Sequence, residues 1–329
     1  MTDSFTTSFM RPNYLVTIGS EEFSLENEPE VISVKVIRNI GLPTDSSEVL
    51  LVGSEDYSFA KGDEIKIQLG YDDEMEPVFN GLVENINYEV NRVRVSALGL
   101  GAHLLRLRLN RVYLNQTAGS IASDIAKEAT IEIKTASDGI SFPTYVIDDS
   151  MNGYEHLLKL AERCNFDVYI TEDEKLVFKE WENGLNHSLQ YGAEIISISS
   201  FDFSPLFTGA SVYGESPSSV KGSDTYHWLT KEQVMGEAGS GAVLSIHDPA
   251  IRDKQTAQAV ADAQMEKMRY SFGFYVESVG KPKIKLGDTV TLEDIPNSAL
   301  AGQLEVRSFE HYLSKDKGFT TIVTCWKRI

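Results

Sequence analysis

Gly62-Asp63-Glu64-Ile65-Lys66-Ile67 returns near the C-terminus as Gly287-Asp288-Thr289-Val290-Thr291-Leu292, and the residues after each copy are alike as well. The first continues through an acidic loop to Gly81-Leu82-Val83-Glu84, Tyr88 and Val93-Arg94-Val95. The second continues through a shorter loop to Gly302-Gln303-Leu304-Glu305, Phe309 and Thr321-Ile322-Val323. Each copy reads as turn, alternating strand, turn, alternating strand, turn, strand: a side-chain period of two marks a half-buried strand, and Gly-Asp marks the turn before it. Gly62, Asp63, Gly81, Gly287, Asp288 and Gly302 are the turns that define the repeat. Nineteen positions separate Gly62 from Gly81 and fifteen separate Gly287 from Gly302, so the acidic loop Asp72–Glu76 is where the two modules should differ most. A module carried twice doubles the rotational symmetry of any ring the chain forms.

Around the first copy, residues 1–110 read as one β-module. Ile32, Val34 and Val36 fall on one face, as do Ile65, Ile67 and Leu69, and Val93, Val95 and Ala97, with turn signals at 41–43, 61–63 and 72–76. Several short strands with one buried face suggest a barrel or a sandwich. Residues 111–189 change character and read as a small α+β domain. Thr117 caps a helix through about Ala129 with Ala118, Ile121, Ala122 and Ile125 on one side. A second helix, Met151–Cys164, has Ser150 as its cap and carries Tyr154, Leu157, Leu158 and Ala161; strands Asp167–Ile170 and Leu176–Lys179 follow. Residues 190–329 read as the second β-module, at about 190–214 and 272–329. A Ser- and Gly-rich segment and a helix interrupt it at about 215–271, the helix opening at Asp248-Pro249 and running through Val260, Met265 and Met268. The expected fold class is α+β, mainly β, with two related β-modules flanking the α+β domain.

Length and composition narrow the function. A chain of 329 residues divides into two or three domains, and 42% hydrophobic with 24% charged residues is ordinary for a globular protein. Met1–Met10 is mostly Thr, Ser and Phe without a basic start or an apolar run, so no export signal is expected, and synthesis in the cytoplasm is. No run approaches the ~18 apolar residues that span a bilayer. With two cysteines, Cys164 and Cys325, neither a disulfide framework nor a cysteine-rich metal site is available; both read as small core side chains. A net charge of −19 argues against a sequence-independent grip on DNA, which needs Lys and Arg on phosphates. The acidity serves either solubility or a wall that repels nucleic acid sliding past.

The motifs that carry chemistry elsewhere are incomplete here. Gly99-Leu100-Gly101 follows a strand, but Leu104 stands at the third glycine position and no crossover helix follows, so no cofactor site is expected. Gly239-Ser240-Gly241 lacks the spacing of a nucleophile elbow. His103, His156, His187, His227, His247 and His311 are scattered without the i, i+4 pairing of a zinc site; His156 reads as a surface or boundary residue. Asp72-Asp73-Glu74 and Asp148-Asp149 supply carboxylates of the kind sugar cleavage needs, yet read as a solvated hairpin loop and a helix cap. Arg106, Arg108 and Arg111 concentrate positive charge in an acidic chain. The alternation Arg106-Leu107-Arg108-Leu109 puts guanidiniums on one face of an extended segment, either as a solvated strand face or as a docking stripe for an acidic neighbour such as another copy of the chain.

The order of elements resembles the phage late-control D proteins, a family that includes baseplate hubs of contractile tails and the hub half of VgrG-type spikes. The resemblance covers about residues 78–329. It rests on Tyr154-Glu155-His156-Leu157-Leu158-Lys159-Leu160-Ala161-Glu162-Arg163 and the hairpin ending Lys175-Leu176-Val177-Phe178. It rests further on the helix Gln255–Met268, Gly280-Lys281-Pro282, Leu286-Gly287-Asp288-Thr289-Val290, Ala301-Gly302 and Phe309-Glu310-His311. It implies a homotrimer in which each chain contributes two tube-like β-barrel modules to a pseudo-sixfold ring. Such a ring joins a hexameric tail tube to a threefold spike within a baseplate and has no catalytic, cofactor or metal site. The sequence reaches Ile329 without the further barrel or β-helix repeats of VgrG-type proteins, so the spike is expected to be a separate protein. The competing classes are a peptidoglycan hydrolase using Asp148 or Asp149 and a carbohydrate-binding tail-tip module.

Overall fold

Ile65, Ile67 and Leu69 are fully buried while Glu64 and Lys66 between them are exposed, as a strand with one face on a core requires. Each such side chain withdrawn from water contributes about 1.5–3 kcal/mol, before the entropic cost of ordering it is subtracted. The computed structural model describes residues 10–26, 30–53, 57–215, 233–296 and 302–328. Most of Met1–Met10, His227, Ala301 and most of the Ser- and Gly-rich segment lie outside the described residues. The chain is mainly β, 53% strand and 15% helix.

Seven strands form the first unit: β1 Pro12–Ile18, β2 Glu21–Ser24, β3 Val31–Asn39, β4 Ser46–Val52, β5 Glu64–Tyr71, β6 Glu74–Glu89 and β7 Arg92–Leu98. The middle domain follows as α1 Ala102–Arg106, β8 Arg111–Thr117, α2 Ala118–Glu128, β9 Glu132–Ala136, β10 Ser141–Ile147, α3 Gly153–Cys164, β11 Asp167–Ile170 and β12 Lys175–Lys179. The second unit begins with β13 Asn186–Gln190 and β14 Ile195–Asp202. It is interrupted by β15 Gly209–Tyr213, β16 Met235–Gly239, β17 Val243–His247 and α4 Lys254–Lys267, and resumes as β18 Tyr270–Val279, β19 Thr289–Glu293, β20 Gly302–Ser314 and β21 Gly318–Arg328. Four cores correspond to these parts, one for each unit, one for the middle domain, and a small one where α4 packs Val260 and Ala261 against Val212 of the insertion.

The duplication is visible strand by strand. The first unit is ordered β3-β4-β7-β6-β5-β1 and the second β14-β18-β21-β20-β19-β13, the same order with the same chain sequence. Bulges recur at matching places: between Val31 and Ser33 in β3 and between Ile195 and Ser197 in β14, then between Val83 and Asn85 in β6 and between Val306 and Ser308 in β20. The Gly-Asp turns match atom for atom. Asp63 N–H donates to Ala60 O at 3.2 Å while Ala60 N–H donates to Asp63 Oδ2 at 2.7 Å; the corresponding bonds between Asp288 and Lys285 are 3.3 and 3.0 Å. Gly62 at φ 96° and Gly287 at φ 84° take the left-handed position of a type II turn, which a side chain resists. One relation differs: β1 runs antiparallel to β5, whereas β13 runs parallel to β19.

Several expectations change. Val83 N–H bonds Asp63 O and Val306 N–H bonds Asp288 O, both at 2.9 Å, so Val83 is the counterpart of Val306. Gly81 and Gly302 are therefore not equivalent, and Gly81 is no turn. It lies inside β6, where an added Cβ would collide with Leu98 O. Asp72–Glu76 is not a long loop either: Asp72 and Asp73 form a two-residue hairpin turn and β6 starts at Glu74. The bulge at Ile32 shifts the strand's parity, so Val31, Val34 and Val36 share the buried face. α3 is capped by Asn152 rather than Ser150, in a capping box with Glu155, and α4 by Asp253 rather than Asp248. β15 pairs with β16 and β17, so it belongs to the insertion and not to the second module. Pairing among the described residues runs as an open path from β14 to β2, joined between the units by β20 and β3, and closes no barrel.

Candidate assembly interface

Two of the three arginines singled out by charge are paired within the chain. Arg106 ends a short helix and reaches Glu84 at 3.1 Å, beside Lys61 on the same carboxylate at 3.0 Å. Lys61 and Arg106 hold the Glu84 carboxyl below its usual range. Arg108 donates to the backbone oxygens of Leu105 at 3.0 Å and Leu107 at 3.2 Å. Arg111 opens β8 and is held by Asp124 and, at 2.8 Å, by Glu128, both on α2. α1 ends at Arg106 and the chain is extended from Leu107, so Arg106 and Arg108 are exposed while Leu107 and Leu109 are half-buried against the middle core; the charge of Arg106 and of Arg111 is paired within the chain.

Two other arginines hold the three parts together. Arg38, on β3 and 3% exposed, donates through Nε to Asp45 at 2.7 Å and through Nη2 to Ile170 O, the end of β11, at 2.8 Å. Its Nη1 lies 3.7 Å from Glu172, which also pairs with Lys285 just before β19. Burial works against charge on Glu172, yet the Lys285 and Arg38 cations hold its carboxyl below the usual range; on Asp45 burial wins and the carboxyl is pushed up. Arg307 is the bulged residue of β20, the counterpart of Glu84 in β6. It forks onto Asp167, the start of β11, at 2.8 and 2.6 Å, and stacks 4.5 Å over the Trp326 ring. One arginine from each β-unit thus grips one end of the same middle-domain strand.

The sheet also joins the units directly. Residues Ser308–Ser314 of β20 pair antiparallel with β3, and Leu313 and Phe319 complete the first unit's core. His311 pairs with Val36 there, fully buried, with Nδ1 at 2.9 Å from Thr321 Oγ1; burial pushes its imidazole down to about 3. The counterpart edges are bare. β6 beyond Glu84 pairs only with β7 among the described residues, with Tyr88 59% exposed, and β14 past its first residue, which bridges Tyr191, pairs only with β18 among them, with Ile196 55% exposed.

Catalytic candidates fare differently. Asp148 is a local anchor: its Oδ1 accepts from Ser150, and its backbone oxygen lies 2.9 Å from Nε2 of His156, which is buried rather than at the surface. Asp149 is exposed in the turn before α3. A cleft of about 260 Å³ at the junction is lined by Trp181, Tyr270, Arg307, Asp167 and Trp326, among others, and Arg307 and Asp167 pair with each other. Among the described residues no group of three or more His, Cys, Asp or Glu is placed to hold a metal, and no helix is long and apolar enough to cross a membrane. Cys325 is fully buried and Cys164 half-buried, its thiol pushed up by burial to about 11. The sequence reading missed Arg38, Arg307 and Asp167. The available signal was a guanidinium in the middle of an otherwise buried apolar strand.

A family model described as the Alg8 N-terminal domain matches residues 39–214, from the last residue of β3 to just past β15. No curated protein sequence matches the chain. Among solved structures, the 43 kDa tail protein of prophage MuSo2 from Shewanella oneidensis is similar at a TM-score of 0.73 and 13% identity, over 95% of this chain and 98% of that one. A tail protein from Neisseria meningitidis MC58 is similar at 0.71 and 12% identity, over 96% and 97%. The E. coli c3393 protein, described as a type VI secretion component resembling T4 tail proteins gp27 and gp5, is similar at 0.59 and 11% identity, over 94% and 76%. At such identities these likenesses establish the fold.

Proposed function

We propose, for a chain that belongs to the Alg8 N-terminal domain family and has the fold of phage tail proteins, a structural and non-enzymatic role. It is the baseplate hub of a phage tail or a tail-derived contractile injection system. Three copies form a ring with six near-equivalent β-units, which presents a pseudo-sixfold face to a hexameric tail tube and a threefold face to a separate spike protein. Other baseplate proteins surround it, and it needs no cofactor. The mechanism is geometric: near-identical edges repeated around a channel let a threefold object meet a sixfold one.

The observation that carries this reading is the duplication. Two units share strand order and bulge positions, and β20 and β3 already join them edge to edge within one chain. The middle domain, gripped by Arg38 and Arg307, fixes their relative orientation. The test is native mass spectrometry of the purified chain, alone and with tube and spike proteins. Trimers of the 36.6 kDa chain support the hub. Monomers under every condition contradict it, and clearing of peptidoglycan that a single change at Asp148 or Asp149 abolishes would replace it with a hydrolase.

A further inference from the structure

The bulges fix a residue-level correspondence between the units. Val31, Ser33 and Val34 of β3 match Ile195, Ser197 and Ile198 of β14, because in each strand one isoleucine is extruded at the same step. Val83 and Asn85 of β6 match Val306 and Ser308 of β20 for the same reason. The strand ends agree: Gly53 N–H bonds Asn91 O and Gly280 N–H bonds Phe319 O, each at 2.9 Å. With the frames aligned, the joint inside the chain becomes a template. There Phe309 pairs with Arg38, His311 with Val36 and Leu313 with Val34; Leu313 and Val34 are 7% and 0% exposed.

The same two edges exist once more, without a strand partner among the described residues beyond the bridge at Ile195. β6 past its bulge presents Ile86 and Tyr88, the counterparts of Phe309 and His311, and then turns through Val90 and Asn91 into β7. Tyr88 is 59% exposed, and Val90 in the adjoining turn is fully exposed. β14 presents Ile198, Ser200 and Asp202, the counterparts of Val34, Val36 and Arg38, on a bare edge of Ile, Ser and Phe residues with no proline or lysine to block pairing. A long unguarded edge of this composition pairs with another chain.

We infer that β14 of one chain adds to β6 of the next in the register of the internal β3–β20 joint, placing Ser200 opposite Tyr88 and Asp202 opposite Ile86. The inference rests on the ring reading and deepens it by naming the edge and the register. The contact is head to tail, since β6 and β14 are different strands, and repeating it closes a ring in which internal and external joints alternate.

Two variants of the full chain test it. Tyr88→Cys with Ser200→Cys, under mild oxidation, is expected to give covalent dimers and trimers in a denaturing gel, while either single change gives neither. Tyr88→Asp, at an exposed position, is expected to leave the thermal midpoint of the isolated chain in place and to raise the dissociation constant of the assembly at least tenfold. Native trimers that do not cross-link at Tyr88 and Ser200, or that Tyr88→Asp leaves intact, overturn this pairing while leaving the ring standing. A chain that is monomeric on its own and with tube and spike overturns both.

Discussion

Replacing Arg307 by methionine should loosen the junction more than any surface change. The side chain is 14% exposed and its partner Asp167 is 13% exposed; the two meet in a fork at 2.8 and 2.6 Å, with Glu305 a further 3.8 Å away. Methionine fills much of the volume but leaves the Asp167 carboxylate buried without its countercharge, and breaking a buried pair from one side costs about 3–5 kcal/mol. Losing the stack on Trp326 adds ~1 kcal/mol. The assay is urea unfolding followed by tryptophan fluorescence, which Trp326 reports from directly under the guanidinium. With a urea dependence of roughly 3 kcal/mol per molar for a large unit, the midpoint should fall by about 1–2 M. Removing the stranded charge as well, in Arg307→Met with Asp167→Leu, should recover most of the loss, because an apolar pair of similar volume often replaces an ion pair without penalty. A single variant within about 0.3 M of the parent, or a double variant weaker than the single, would refute the role assigned to this pair.

Other perturbations probe the same geometry. His311 is held neutral by burial, its folded value of about 3 lying below the 6.5 of an exposed imidazole, so the unfolded chain binds the proton more readily. Stability is therefore full above pH 6.5 and falls as pH drops toward 3. At pH 5 the loss is about 2 kcal/mol, and the difference in unfolding free energy between parent and His311→Gln, measured from pH 7 to pH 5, should show it. Glu174 acts oppositely: burial raises it to about 7, so its contribution grows as pH falls from 7 toward 4.5, and Glu174→Gln should steepen the acid loss of the parent. Gly62→Ala and Gly287→Ala should each cost about 1–2 kcal/mol in thermal unfolding, with Gly287→Ala the worse because the new methyl meets Tyr169 Oη at 3.0 Å. Arg106→Glu should leave the oligomer's native mass unchanged, since Arg106 pairs within its own chain with Glu84.

The sequence made the repeat legible because Gly-Asp turns and period-two alternation are local signals: Gly62 and Gly287 need positive φ, and Ile65, Ile67 and Leu69 need one buried face. It misaligned the later part of the repeat, since Gly81 and Gly302 look alike as letters while the ladder pairs Val83 with Asp63 and Val306 with Asp288. Bulges at Ile32 and Ile196 carry no distinctive residue type, so the shift of parity was invisible until partners were known. The arginines fared worst for the same reason. Arg106 and Arg111 stood out by proximity in sequence, whereas Arg38 and Arg307 act on Ile170 and Asp167, more than a hundred positions away from each. Contacts of that span are set by tertiary packing and leave only an isolated charge in a buried strand as their trace.

End-on electron microscopy of the purified assembly tests the central claim most directly. A ring with threefold symmetry carrying six lobes of near-equal density is expected, because each chain supplies two units of the same strand order. A ring of any other order, or a threefold ring with three lobes only, would contradict it.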